Sequence, residues 1–165
     1  MAIIPKDTTK KWKILSTEYP CRAGGLRDLG TLSASYLVQH KTAVDWFLLT
    51  RLRRTSRIDA ALEERLFKIE LEKALPKSGT ILFDGIGKKA VPDRMKMLVQ
   101  SSFPKLRFAF ANEIYDNPEI LSDPSQYQGV IFVLTARRSS LNDLEREIES
   151  CRKYQLKMLG VVMGE

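Results

Sequence analysis

The sequence contains only two cysteines, Cys21 and Cys151, and a single histidine, His40. Two cysteines so far apart cannot form the disulfide framework of a small secreted domain, and no Cys/His cluster has the spacing of a zinc site. We therefore expect structural or incidental thiols and no bound metal.

Long apolar runs are also missing. The longest, such as residues 130–134, fall far short of the roughly 20 residues that a membrane-spanning helix needs. The first residues, Met1 to Asp7, do not combine a basic segment with a long apolar stretch as a secretory signal does. These absences predict no membrane span and a cytoplasmic location, with peripheral association with the inner membrane left open.

What the sequence does have is an ordinary globular composition with an excess of basic residues. Its 165 residues are 44% hydrophobic and 28% charged, and the formal net charge is +7. We predict a polar leader at residues 1–10 and a single α/β domain over residues 11–165, because a chain of this length can bury one core. The charge suits an anionic partner. Nucleic acid is disfavoured because the aromatic residues form no stacking row beside basic residues.

Short β-rich runs alternate along the chain with longer segments of helical periodicity, which is the pattern of βαβ units. Strands are predicted at residues 12–19, 43–50, 80–84, 106–111, 129–135 and 159–163. Helices are predicted at residues 29–39 and 58–75, after Pro92 and after Ser140. The predicted fold class is α/β, a three-layer Rossmann-like or P-loop-like domain with a mostly parallel sheet of about six strands.

Apolar residues recur at helical spacing in three of these helices and indicate their buried faces. They are Leu62, Leu66, Ile69 and Ala74 at residues 58–75, Met95, Leu98 and Val99 after Pro92, and Leu141, Leu144, Ile148 and Cys151 after Ser140. Ser140 and Asp143 have the spacing of a capping box, which predicts the first turn of the last helix.

Three segments carry a family resemblance. Residues 24–28 read Gly-Gly-Leu-Arg-Asp, residues 48–54 read Leu-Leu-Thr-Arg-Leu-Arg-Arg, and residues 127–134 lead through an amphipathic helix to Leu-Gly-Val-Val-Met at 159–163. In this order they resemble the P-loop ATPases of the bacterial tyrosine kinase and MinD/ParA group, especially the cytoplasmic kinases that accompany capsule and exopolysaccharide export. The resemblance implies a nucleotide-binding fold with residues 24–28 in the place of the phosphate loop.

The first departure from the family pattern falls on that loop. Glycines of a phosphate loop turn backbone N–H groups toward the phosphates, a lysine neutralises the oxygens, and a Ser/Thr hydroxyl holds magnesium. Here Leu26 stands at the second glycine, Arg27 at the lysine and Asp28 at the Ser/Thr. An aspartate beside a triphosphate repels it.

The second motif departs as well. Leu49 or Thr50 and Arg51 occupy its acidic positions, which leaves Asp84 as the residue that resembles a Walker-type aspartate. One carboxylate cannot run phosphoryl transfer. The resemblance therefore implies a catalytically dead pseudo-ATPase or pseudokinase without a cofactor, although weak binding of ATP, ADP or phosphate stays open.

Two sets of residues are candidates for binding, and no catalytic residue is identified. Nucleotide or anion binding is assigned to Gly24, Gly25, Arg27 and Asp84, and partner binding to Arg51, Arg53, Arg54 and Arg57. The four arginines end a predicted parallel strand, at the edge where open α/β sheets bind ligands, but a solvated basic face would also explain them.

A glycine-containing run and three acidic residues are interpreted as structural features. The run 85–89, Gly-Ile-Gly-Lys-Lys, lacks the loop length and the hydroxyl of a phosphate loop, so we predict an ordinary βα turn. Asp45, Asp84 and Glu113 are expected to cap helices or pair with arginine, because no nucleophile or base stands at a defined spacing from them.

The leading hypothesis is an interaction module accessory to bacterial exopolysaccharide (capsule) biosynthesis or export. Its expected partner is a protein, such as the cytoplasmic segment of a membrane polysaccharide co-polymerase, and homo-oligomers are compatible with this role. The alternative is a small nucleotide- or nucleotide-sugar-binding enzyme, phosphotransferase-like, that uses the Gly24-Gly25 loop.

Overall fold

The computed structural model describes residues 21–22, 24–32, 60–87, 91–135 and 138–164. Its strands and helices are β1 (Asp28–Leu32), α1 (Ala60–Ala74), β2 (Gly79–Gly85), α2 (Asp93–Ser102), β3 (Leu106–Asn112), α3 (Pro118–Ser122), β4 (Gly129–Leu134), α4 (Leu141–Lys153) and β5 (Met158–Gly164). Short 3-10 turns at Ile114–Asp116 and Pro124–Gln126 flank α3. The strands predicted at residues 12–19 and 43–50 lie outside the described residues.

The five described strands form one sheet in the order β1-β5-β4-β2-β3, and every pair is parallel. All six residues of β4 are buried, as its unbroken apolar sequence predicts for a strand covered on both faces. The predicted α/β class with a parallel sheet is confirmed, with five strands in the described part of the chain where about six were expected.

Helices cover both faces of the sheet and give two apolar layers. One layer joins α1 and α2 to the sheet through Phe67, Leu71, Met95, Leu98, Val99, Ile81, Phe83, Ile131 and Val133. The other joins α4 and the segment around α3 to the opposite face through Leu144, Ile148, Cys151, Ile114, Ile120, Leu82, Phe132 and Met163. This is the three-layer arrangement of a doubly wound domain.

The chain reverses its direction across the sheet at β2. It passes from β2 through α2 to β3 on one side, and then returns to β4 on the other side of β2. The carboxyl ends of β2 and β4 therefore form the topological switch point, the position at which open α/β sheets usually bind ligands.

Residues 28–32 form a strand, so the helix predicted at residues 29–39 is wrong in its described part. Leu29 and Leu32 are both buried, which mimics helical spacing. The pairing with β5 shifts register between Asp28 and Thr31, and this irregularity turns two residues three positions apart toward the core. The pairing of residues 28–32 with β5 therefore determines a strand here, although the local apolar spacing favours a helix.

Helix α1 confirms the predicted helix but buries a different face. Phe67 and Leu71 are 2% and 0% exposed and pack on the sheet, whereas Leu62, Leu66 and Ile69 are 45–48% exposed. The helix carries two apolar stripes, and the stripe that contains Phe67 and Leu71 packs against the sheet. The predicted face of α2 is buried at Met95, Leu98 and Val99. That of α4 is buried at Leu144, Ile148 and Cys151, while Leu141, also predicted to be buried, is only half-buried.

Strand β5 is not the edge strand of the sheet, because β1 pairs with its outer side.

Across the described ranges, no helix combines the length and the apolar character that crossing a bilayer requires.

Candidate functional site

The loops that follow β2 and β4 meet at the switch point. Ile86 continues the pairing with β4, since its N–H donates to the carbonyl of Val133 at 3.0 Å. Gly87 has φ +88, and a Cβ at this position would lie 3.1 Å from the Cα of Ser139. Only glycine fits this turn without strain, so the predicted βα turn is held tightly against the loop after β4.

Ser139 links these two loops through its side chain. Its hydroxyl donates to the carbonyl of Ile86 at 2.8 Å and accepts from the N–H of Thr135 at 2.8 Å. The residue is fully buried. The next residue, Ser140, caps α4 as predicted, because its hydroxyl accepts from the N–H of Asp143 at 3.2 Å. These bonds fix where α4 begins relative to the end of β2.

Asp84 and Glu147 form a buried carboxyl pair between the sheet and α4. Asp84 lies in β2 on the face that Leu82 also presents to α4, and Glu147 lies on α4 between the core residues Leu144 and Cys151. Both residues are 0% exposed. All four carboxylate oxygens lack a hydrogen-bond partner, so two ionised carboxylates would remain unpaired here.

The surroundings favour the protonated forms of the carboxyl pair. Burial raises the pKa of Asp84 well above its usual range, and the charge of Glu147 and a hydrogen bond to it raise this pKa further. Burial also raises the pKa of Glu147 to about 7, while the hydrogen bond from Asp84 lowers it in part. The hydrogen bond between the two carboxyls raises the pKa of Asp84 and lowers that of Glu147, which means that a protonated Asp84 donates to Glu147. A shared proton thus supplies the bond that two carboxylates alone cannot form.

The chain after β3 forms the rim of the pair. Backbone N–H groups of Glu113, Ile114 and Tyr115 lower the two pKa values in part, although none makes a hydrogen bond of normal geometry with either carboxylate. Glu113 has φ 54 and is 5% exposed, and its carboxylate accepts from the Tyr115 hydroxyl at 3.4 Å. The guanidinium of Arg146 lies 5.8 Å from the centre of the Tyr115 ring. Arg146 therefore stacks on the rim of the pair.

Cys151 lies one helical turn beyond Glu147 and is buried. Burial, followed by the negative charges of Asp84 and Glu147, raises the pKa of its thiol to about 12. Such a thiol is a poor nucleophile at neutral pH. Among the described residues, no group of three or more His, Cys, Asp or Glu side chains is placed to hold a metal ion.

The Gly24-Gly25 loop is the end of a helical turn. Cys21, Arg22 and Gly24 are helical, Gly25 has φ 63, and the N–H of Leu26 donates to the carbonyl of Cys21 at 3.0 Å. This bond, with Gly25 in the left-handed conformation, is the Schellman arrangement of a helix C-terminus. A strand follows instead of the expected helix, so the backbone dipoles at this loop oppose anion binding where a helix N-terminus would favour it.

The four residues assigned to nucleotide or anion binding do not meet. Two strands, β5 and β4, separate β1 from β2, which corresponds to about 14 Å between them. Gly24 faces Ile148 on α4, and Arg27 pairs with Glu70 of α1 at 3.4 Å. Asp84 is enclosed beneath α4. The structure does not assemble them into one site, and anion binding by either part stays a prediction.

A depression of about 200 Å³ lies on the surface of α4, and neither member of the carboxyl pair lines it. Its lining is Gly24, Leu141, Leu144, Glu145, Ile148, Glu149 and Arg152. Gly24 is thus the one residue of the predicted nucleotide set that borders this depression. The partner-binding arginines Arg51, Arg53, Arg54 and Arg57, and Asp45, lie outside the described residues.

Sequence reasoning missed Glu147. The available signal was its position, three residues after Leu144 and four before Cys151, which places a charged side chain on the apolar face of an amphipathic helix. Such a residue is normally assigned to solvent unless a partner for it is known. Asp84 and Glu113, predicted to cap helices or pair with arginine, instead belong to the carboxyl pair and its rim.

The sequence matches no protein-family model, and no curated protein is significantly similar to it. The resemblance to P-loop ATPases therefore stays a prediction, and the functional argument depends on the geometry of the chain itself.

Proposed function

We propose that this chain is a non-catalytic interaction module on a doubly wound, nucleotide-binding type of scaffold. The observation that carries the proposal is the burial of Asp84. A carboxylate that assists phosphoryl transfer must be ionised and must reach magnesium or its water ligands. Asp84 is fully enclosed and its pKa is raised, so it is a neutral core group in this fold.

The Gly24-Gly25 loop gives separate support. A phosphate loop needs several backbone N–H groups directed at the ligand, together with the positive end of a helix dipole. Here the Leu26 N–H is used within the helix end, and the Arg27 carbonyl accepts from the N–H of Val161 to hold β1 on the sheet. The loop therefore serves the packing of β1. This geometry also weighs against the alternative enzyme, whose assigned residues share no cleft.

The pathway and partner rest on the sequence resemblance. A degenerate relative of the capsule kinases would retain docking to the cytoplasmic segment of a membrane polysaccharide co-polymerase after losing nucleotide turnover. The basic residues Arg51, Arg53, Arg54 and Arg57 are the proposed contact, because an excess of positive charge favours an acidic segment.

Calorimetric titration with ATP and ADP, each with and without magnesium, tests the scaffold part of the proposal. We expect no magnesium-dependent binding. Micromolar, magnesium-dependent binding would overturn the proposal, and two variants would then locate the site. Loss of binding in Arg27→Ala would assign it to the loop before β1, and loss in Lys88→Ala/Lys89→Ala would assign it to the sequence that follows β2.

A charge-reversal experiment tests the partner part. Arg53→Glu/Arg54→Glu should abolish binding of the purified protein to the cytoplasmic segment of the co-polymerase. The matched control is Arg107→Glu/Arg152→Glu, which makes the same change in net charge at exposed positions on β3 and α4. Equal losses in both variants would indicate nonspecific attraction, and unchanged binding in the first would exclude this contact.

A further inference from the structure

Helix α4 rests on the sheet through an apolar face that is interrupted by one acid. Leu144, Ile148 and Cys151 are buried in that contact, and Glu147 lies among them and interacts with Asp84. Apart from the proton that they share, neither carboxyl has a hydrogen bond of normal geometry with a described donor. Two negative charges enclosed in an apolar layer without partners are strongly unfavourable, and one shared proton removes most of that cost.

Among the described residues, the groups that face the pair from each surrounding element do not neutralise a second negative charge. Helix α4 contributes Glu147, the Cys151 thiol and, at the rim, Arg146. The chain after β3 contributes Glu113 and Tyr115, and Asp116 acts on Tyr115. The neighbours of Asp84 in the sheet are Ala111 on β3 and Phe132 on β4, which do not titrate. Except for Arg146, which stacks on Tyr115, the ionisable groups are acidic.

The two sides of the pair differ in how firmly they are held. Strand β2 is hydrogen-bonded along its length to β3 and to β4, so Asp84 cannot move without breaking the centre of the sheet. Helix α4 is held on the sheet by side-chain packing and by the cap at Ser140. Repulsion between the two carboxylates would therefore displace the helix and leave the strand in place.

We propose that Asp84 and Glu147 act as a pH-sensitive contact that holds α4 against the sheet while they share a proton and loosens α4 when both are ionised. The proton passes to solvent, and water enters to hydrate the two carboxylates. Glu147, with a pKa of about 7, ionises first and leaves the shared proton on Asp84, so the second ionisation, which loosens α4, follows as the pH rises further. Loosening would expose the apolar face of α4 at the switch point, which gives the fold a conformational response to alkalinisation.

Amide hydrogen exchange of the whole chain, followed by mass spectrometry from about pH 6 to about pH 9 and corrected for intrinsic rates, tests this contact. Protection across α4 should fall by about tenfold or more over this range, while protection across β4 stays constant. Glu147→Gln should remove most of this fall, because an amide cannot ionise. Glu145→Gln, an exposed carboxyl-to-amide change on the same helix, should behave as the wild type.

Three outcomes would overturn the proposal. They are a pH-independent protection of α4, a loss of protection that is equal in α4 and β4, and an unchanged pH dependence in Glu147→Gln. Asp84→Asn gives a second measurement from the strand side and should also flatten the profile. If Asp84→Asn does not fold, Glu147→Gln still decides the question, since it leaves the sheet intact.

Discussion

The hydroxyl of Ser139 donates to the carbonyl of Ile86 at 2.8 Å and so joins the loop after β4 to the loop after β2. The two residues are 53 positions apart in the sequence and are both fully buried. This bond ties the described parts of the two loops together at the switch point, where open α/β sheets usually bind ligands.

Ser139→Ala should therefore destabilise the protein. The Thr135 N–H and the Ile86 carbonyl would each lose a buried partner, and we expect a loss of about 1–3 kcal/mol in the free energy of unfolding. Urea denaturation followed by circular dichroism measures it. Ser122→Ala, which removes an exposed hydroxyl bonded to the Glu119 carbonyl, is the control and should change stability by less than about 0.5 kcal/mol. Equal losses in the two variants would mean that the bond between Ser139 and Ile86 stabilises the fold no more than an exposed hydroxyl does.

Periodicity was sufficient for most of the described fold. The strands β2, β3, β4 and β5 and the helices α1, α2 and α4 follow from apolar spacing and from the capping pattern at Ser140, because each element keeps one period along its length. Strand β1 was missed since its register irregularity imitates helical spacing. The carboxyl pair was missed because it joins residues 63 positions apart, Asp84 and Glu147, and no local pattern reveals which acid is buried.

The buried face of α1 can be tested at adjacent positions. Phe67→Ala should cost about 3–5 kcal/mol, because it leaves a cavity against the sheet. Leu66→Ala should cost less than about 1 kcal/mol, since this side chain is 48% exposed. Urea midpoints of the two variants decide the point. A larger loss at Leu66 would mean that the stripe of Leu62, Leu66 and Ile69 is covered in solution.

The pairing of β1 with β5 predicts an effect at Gly160. An alanine Cβ there would lie 2.5 Å from the backbone carbonyl oxygen of Arg27, which cannot move without separating the two strands. Gly160→Ala should destabilise the protein by about 1–3 kcal/mol and increase hydrogen exchange in β1. Gly24→Ala is the control, because its Cβ would meet only flexible side-chain atoms of Ile148 and Leu26 at 3.1–3.2 Å. Unchanged exchange in β1 would contradict the assigned pairing.

The carboxyl pair predicts how stability depends on pH. Because folding raises the Glu147 pKa from 4.5 to about 7, its favourable contribution is complete below pH 4.5 and is lost as the pH rises through about 7. At 1.36 kcal/mol per unit, this loss is roughly 3 kcal/mol at most, and the raised pKa of Asp84 acts in the same direction.

Glu147→Gln should consequently gain stability relative to the wild type as the pH rises from about 5 to about 8, and the gap between their urea midpoints should widen. Comparing both proteins at each pH cancels the titration of exposed groups such as Glu70, whose pKa is lowered by its hydrogen bond to Lys73. Parallel curves would show that Glu147 does not titrate inside the fold. A variant that lost stability with increasing pH faster than the wild type would reverse the sign and rule out a buried, proton-sharing pair.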